Sequence, residues 1–217
     1  MENKTPELIL LPSDQYHGLE RFDPIRFYRL PVIGTMYRRR VEICLGECSG
    51  GKRVLEVGFG SGVSFLNLAL TYAEIYGIDL TSDIEAVGAV FQKRNLDVKL
   101  CNGNVTQMPY EDQKFDTVLL ISILEHLHPE ELEPAFREIQ RVLRTGGQVV
   151  YGVPVERPLN VFMFRLLGYD IREHHFSTER QVSAAAEKYF HKVRLIPMLS
   201  TPPIFGQVYE IGHFVKN

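Results

Sequence analysis

Glu56, Gly58, Gly60, Gly62, Asp79 and the adjacent pair Glu125 and His126 are the residues whose types and spacing can do chemistry. Residues 53 to 62 read Arg-Val-Leu-Glu-Val-Gly-Phe-Gly-Ser-Gly, an apolar run that includes an acid and opens onto three glycines at alternate positions. Lacking a Cβ, such glycines adopt positive φ and let the backbone, including that of Phe59, approach a ligand closely, as a turn beneath a nucleotide-like cofactor requires. Asp79 closes the next apolar run, Ile75-Tyr-Gly-Ile78, where a carboxylate at a strand tip can accept hydrogen bonds from both hydroxyls of a ribose. Gly103-Asn104-Val105 follows a third run, where a side-chain amide oxygen can meet an adenine amino group. His126 has the side chain best matched to proton transfer near neutral pH.

Strands and helices must hold these residues. Val54, Leu55 and Val57 suit a strand buried on both faces, and Val63, Phe65, Leu66, Leu68, Ala69 and Leu70 predict a helix directly after the glycines. Further strands are predicted at Ile75 to Ile78, Val98 to Cys101, Phe115 to Ile121, Gln148 to Val153, Lys192 to Ile196 and Val208 to Phe214. Leu132, Phe136, Ile139, Val142 and Leu143 mark one face of a helix over Leu132 to Leu143, with Thr145-Gly146-Gly147 as its stop. Strands alternating with helices predict an α/β parallel sheet.

Two stretches break the pattern. Pro6, Pro12, Pro24 and Pro31 exclude a long helix before about Thr35, so residues 1–50 are expected to form an N-terminal cap leading into a helix through Cys48. The segment from Pro154 to Ser177 follows the fifth strand and carries Phe162, Met163, Phe164, Leu166, Leu167 and Tyr169. In an open α/β sheet ligands bind beyond the carboxyl ends of the strands, so both stretches are candidate covers for a pocket. The aromatic positions can equally pack as core. The expected organisation is one domain: cap 1–50, cofactor-binding core 51–153, lid 154–177, and a C-terminal helix and strand hairpin 178–217.

A nicotinamide-binding dehydrogenase also places glycines after its first strand and an acid after its second. Its glycine spacing is G-x-G-x-x-G/A, whereas here the third glycine comes one position early at Gly62, and Val63 stands where the other pattern has glycine or alanine.

From about residue 37 to 153 the chain resembles the class I S-adenosylmethionine-dependent methyltransferases, in particular the type 11-like group acting on small molecules, lipids and glycans. The resemblance rests on Glu56-Val-Gly58-Phe-Gly60-Ser-Gly62, Asp79, Gly103 through Asp116, Leu124-Glu125-His126-Leu127, and Arg137 through Gly147, in that order. It implies a Rossmann-like, seven-stranded, mainly parallel sheet of order 3-2-1-4-5-7-6 flanked by helices. It also implies S-adenosyl-L-methionine as cofactor and S-adenosyl-L-homocysteine as product. The cofactor-binding residues so implied are Glu56, Gly58, Phe59, Gly60, Gly62, Asp79, Leu80, Asn104, Val105 and Ile121, with Glu56 near the methionine amine. Asn104 stands where the family commonly has aspartate, and keeps an acceptor oxygen without the charge.

His126 and Glu125 are the candidate catalytic residues, and capping of backbone amides is the alternative role. Some relatives carry Glu-x-x-Glu-His here and hold a divalent metal; this chain has Ser122 at the first position, and Glu125, His126 and His174 or His175 form a poorer set for a hard cation. No metal is expected. His174 and His175 precede a helix start capped by Ser177 or Thr178, and either line the acceptor pocket or sit in a solvated loop.

Over 217 residues the net charge is −3, which provides no global field for nucleic acid, and none is expected as a partner. Arg21, Arg26, Arg29, Arg38, Arg39 and Arg40 nevertheless gather against Asp23 alone, either to attract an anionic acceptor or as a solvated helix face. Cys44, Cys48 and Cys101 form no CxxC pair and are expected as reduced thiols. No apolar run reaches the roughly 18 residues of a membrane span, and the start of the chain lacks a signal-peptide profile, so a cytoplasmic monomer or homodimer is expected. The function expected is methyl transfer to a small-molecule, lipid-linked or glycan-type acceptor; the alternative is a cofactor-binding regulatory or structural subunit without that activity.

Overall fold

A computed structural model describes residues 5–16, 24–31, 33–155, 175–200 and 206–217. Seven strands form one sheet: β1 (Gly51–Val57), β2 (Tyr72–Asp79), β3 (Val98–Asn102), β4 (Phe115–Ile121), β5 (Leu143–Pro154), β6 (His191–Leu199) and β7 (Gln207–Val215). Their order is β3-β2-β1-β4-β5-β7-β6, as the family resemblance implied. β1 pairs in parallel with β2 (Val57↔Ile78) and with β4 (Val57↔Leu120), so three strands end along one edge. The β7 strand runs antiparallel between β5 and β6.

Strand alternation sorts the core into two layers. Leu55, Val57, Ile78, Val118 and Leu120 pack on one side with Leu132, Phe136 and Ile139 of α4 (Pro129–Val142) and Val182 and Ala186 of α5 (Glu179–Glu187). Val54, Ile75, Leu119 and Val150 pack on the other with Val41, Cys44 and Leu45 of α1 (Ile33–Glu47), with Phe65 and Leu68 of α2 (Phe65–Leu68), and with Val87, Val90 and Phe91 of α3 (Ile84–Gln92). Because both faces are covered, the central strands read as near-continuous apolar runs. Helix starts follow side-chain caps: Asp83 accepts from Ala86 N at 3.0 Å, and Thr178 with Gln181 forms a capping box at α5, choosing Thr178 over Ser177.

Two sequence expectations change. The helix after the glycines is a single α-turn, because i→i+3 bonds flank it on both sides: Phe65 N to Gly62 O, and Leu70 N to Asn67 O. Thr145-Gly146-Gly147 belongs to β5, where Gly146 N donates to Lys216 O and Lys216 N to Gly147 O; α4 ends instead where Leu143 turns extended. The three cysteines are free, as expected. Residues 156–174, with the aromatic positions of the expected lid and His174, lie outside the described residues, as do Arg21, Phe22 and Asp23.

The loop from β3 to β4 is fastened to α4. Arg141 donates to the carbonyls of Met108 (3.0 Å) and Tyr110 (2.7 Å) and pairs with Asp112 and Glu138, while Glu138 accepts from Met108 N. On β7, a Cβ added at Gly212 would stand 2.3 Å from the Tyr151 ring, which stacks on Phe214 at 5.7 Å. Gly212→Ala is therefore expected to cost about 1–3 kcal/mol by overpacking. Urea denaturation checks this, and wild-type stability in the variant would show that the β5–β7 face is not tightly packed.

Candidate active site

The glycine loop follows β1 at the edge shared with β2 and β4. Gly58, Gly60 and Gly62 hold φ of 69°, 51° and 70°, the left-handed region that side chains disfavour. At two of them space is also short: an added Cβ would lie 1.9 Å from Ile123 Cδ1 at Gly58 and 2.6 Å from the Phe65 ring at Gly62. Asp79, at the tip of β2, fixes the loop. Its Oδ2 accepts from Gly60 N at 2.9 Å, and its Oδ1 accepts from Thr81 N and Ser82 N at 3.0 Å each. Two carboxylate oxygens offer about four acceptor directions, so Asp79 shapes the loop and retains capacity for a hydroxyl. Beside it Leu80 is 68% exposed, an apolar surface at a strand tip.

Glu56 is buried and accepts a short hydrogen bond from the Ser64 hydroxyl. Burial pushes its carboxyl up to about 8, against the Ser64 bond that lowers it and with a smaller contribution from Asp79. An acid held in this way gains most from a cation brought against it.

The remaining cofactor candidates differ in how they are placed. Phe59 turns its ring into the core, 5.7 Å from Phe65 and against Gly77, which leaves its backbone to the loop. Val105 is buried in the layer that holds Leu55 and Ile78, and Ile121 is partly buried at the end of β4. Asn104 is exposed, and its Oδ1 accepts from Thr106 N (2.9 Å) and Thr106 Oγ1 (3.0 Å). Its amide oxygen thus organises its own turn, and an adenine amino group would have to share it.

After β4 a 3₁₀ turn, Leu124–His126, buries Glu125 and exposes His126. Phe176 N and Ser177 N donate to the Glu125 carbonyl at 2.8 and 3.2 Å, which brings His175 to the same place, its ring 5.2 Å from that of His126. One ligand atom from each of Glu125, His126 and His175 lies within 4.8 Å of the others, a group that could hold a metal ion. His175 thus stands, partly buried, beside His126.

Sequence reasoning missed a second constellation beside this turn. Ser122 adopts φ 59°, its N donates to Gly152 O of β5, and its hydroxyl meets the Tyr209 hydroxyl of β7 at 2.8 Å and receives Arg40 Nη1 of α1 at 3.2 Å. Gly152 makes room, since a Cβ there would stand 2.5 Å from the Tyr209 ring. Arg40 carried a signal as part of the arginine cluster; Tyr209 carried none. A groove of about 590 Å³ between α1 and β6, lined by Arg39, Ile43 and Met198 among others, contains no residue of either group.

Residues 55–151 match the family described as a methyltransferase domain. A fatty-acid O-methyltransferase of Mycolicibacterium smegmatis is 38% identical over 106 residues, 46% of this chain and 36% of that one. A demethylmenaquinone methyltransferase of Tropheryma whipplei is 31% identical over 123 residues, 56% of this chain and 49% of that one. The chain thus spans about half or less of the length of these relatives. Among solved structures, geranyl diphosphate C-methyltransferase from Streptomyces coelicolor A3(2), in complex with Mg2+, geranyl diphosphate and S-adenosyl-L-homocysteine, shares the fold with a TM-score of 0.72 at 11% identity, over 97% of this chain and 90% of that one.

The state of Glu56 has a thermodynamic signature. Between the ordinary carboxyl value and about 8 the folded chain keeps a proton that the unfolded chain releases, so stability without cofactor falls as pH rises through this window. The group contributes a slope of at most about 1.4 kcal/mol per pH unit. Glu56→Gln should remove that slope, as read from denaturation at pH 5, 6.5 and 8; parallel curves for the two proteins would mean that Glu56 is ionised throughout.

Proposed function

We propose, from the match of residues 55–151 to the methyltransferase domain and from the sheet order, that the core of this chain is a class I S-adenosylmethionine-dependent methyltransferase domain and that the protein transfers a methyl group to a small-molecule or lipid-type acceptor. The observation that carries the reading is the glycine loop held in left-handed conformations by Asp79, with a buried acid directly before it. The residues present fit the cofactor. In the proposed assignment the loop backbone at Gly58, Phe59, Gly60 and Gly62 cradles the amino-acid portion, and Glu56 holds its ammonium. Asp79 and Leu80 meet the ribose, Asn104 and Val105 the adenine, and Ile121 flanks the reacting end.

When bound, S-adenosylmethionine supplies a methyl group already activated on a sulfonium. The chain's own task is then alignment and exclusion of water, and positioning alone supplies several kcal/mol. A hydroxyl or ammonium acceptor also has to lose a proton. We assign its acceptance to His126, exposed at the tip of β4, with Glu125 and His175 as the groups that orient it. A base in this role requires no metal. The relative named for a fatty acid supports an acceptor with an apolar chain.

Three outcomes follow for measurement. Asp79→Ala should weaken S-adenosylhomocysteine binding by about 1.5–3 kcal/mol in calorimetry, and a folded variant with wild-type affinity refutes the ribose assignment. Binding of S-adenosylhomocysteine should release protons at pH 7 as the ammonium draws the Glu56 carboxyl down, seen as a dependence of the heat on buffer; no buffer dependence would remove Glu56 from the site. With an acceptor in hand, His126→Gln should slow turnover by about 10²-fold or more with cofactor affinity retained, and turnover should survive chelator. Activity lost to chelator and restored by a divalent ion would instead make Glu125, His126 and His175 a metal centre.

A further inference from the structure

Arg40 is a cation in the wrong company for a structural ion pair. It lies on α1, half-buried, with its guanidinium 4.2 Å from the centre of the Tyr37 ring and 5.9 Å from that of Tyr209. Burial works against its charge, and the tyrosines around it, Tyr28, Tyr209 and Tyr37, outweigh burial and hold it above the usual guanidinium value. The ion pairs of the described residues, from Arg53–Glu74 to His213–Glu47, do not include it. Glu125 acts on Tyr209 but is not among the principal groups around Arg40. Nη1 donates to Ser122 and Tyr28 is a further partner, yet the buried Nε has none among the described residues. A guanidinium has five donors, and a desolvated cation without a counter-charge costs several kcal/mol.

The arrangement is also built at some expense. Ser122 holds a left-handed φ of 59°, which costs a residue with a side chain about 1–2 kcal/mol. Gly152 leaves space that the Tyr209 ring fills, bringing its hydroxyl to Ser122. Three elements, α1, the end of β4 and β7, thereby meet at one guanidinium. The place is the carboxyl edge of the sheet: Val57 pairs with Leu120, so Ser122 stands one strand away from the glycine loop. Of the cluster's other arginines whose side chains are described, Arg29 donates to the Leu11 carbonyl, Arg38 to the Tyr28 carbonyl, and Arg39 lines the groove between α1 and β6.

We propose that Arg40, Ser122 and Tyr209 form the recognition site for a carboxylate on the acceptor, with the Tyr37 ring and Ile121 beside it for an apolar chain. One uncompensated positive charge matches a singly charged carboxylate better than a doubly charged phosphate. The guanidinium, and the one hydroxyl hydrogen that the Ser122–Tyr209 bond leaves free, supply donors for both of its oxygens. The proposal rests on the methyl-transfer reading, because it places this site on the acceptor side of the cofactor loop.

The test is calorimetry at low salt with the full chain saturated in S-adenosylhomocysteine, using octanoate, octan-1-ol and octyl phosphate as probes. Octanoate should bind at least about tenfold more tightly than octanol, the range of a charge-assisted hydrogen bond, and more tightly than octyl phosphate. Arg40→Gln should bring the octanoate-to-octanol ratio to about one while leaving octanol and S-adenosylhomocysteine affinity unchanged; Ser122→Ala should lower the same ratio with Arg40 intact, which keeps the test valid if Arg40→Gln does not fold. Equal binding of octanoate and octanol, no binding of either, or an unchanged ratio in the variants would overturn the proposal, and tighter octyl phosphate would overturn the carboxylate assignment. Failure to bind S-adenosylhomocysteine at all would instead sink the methyl-donor reading.

Discussion

Parallel pairing of β1 with both β2 and β4 is the constraint on which the rest of this molecule depends. Parallel neighbours end at the same edge, so the chain must leave the sheet three times within a few ångströms. The glycine loop, the Asp79 tip and the Ser122 turn are those three exits. Hydrogen bonds then lock them to one another or to the sheet: Asp79 takes the amide of Gly60, Gly58 N reaches Ile78 O, and Ser122 N reaches Gly152 O. Side chains separated widely along the chain become neighbours because their strands are neighbours. The helices cover the faces, and the edge is left for chemistry.

That edge carries two groups whose charges the protein does not itself satisfy in the usual way. Glu56 is buried with no cation paired to it among the described residues and is held toward its protonated form by desolvation. Arg40 is half-buried among tyrosines without a carboxylate among its principal neighbours. Each is the complement of a charge that a ligand can bring. The Asp79 carboxylate shows the contrasting case, with three backbone amides already donating to it. Its first task is to shape the loop, and any ligand shares an acceptor that is already in place.

Much of this was legible in the residues. The strand from Phe115 to Ile121 has the predicted bounds: Val118 to Ile121 is continuously apolar, and the chain turns at Ser122. The other strands appear where predicted but run further, since polar residues can extend a ladder at its margins without altering the apolar signal. The short α2 was not legible, because helical periodicity over eight residues does not distinguish one α-turn between 3₁₀ bonds from a full helix. Side-chain direction was hidden too: Phe59 and Asn104 stand in a cofactor pattern, yet one ring packs into the core and one amide closes its own turn.

The amino-acid sequence by itself determined where the sheet's strands fall and which glycines and acids end them, because local apolar period and glycine spacing are properties of contiguous chain; the strand order followed from the family resemblance. The tertiary structure decided which residues meet at Arg40. Arg40 lies 82 positions from Ser122, and Ser122 lies 87 from Tyr209. A contact across such separations leaves no local pattern, and exists only because strand pairing and the packing of α1 bring three distant points of the chain to one place.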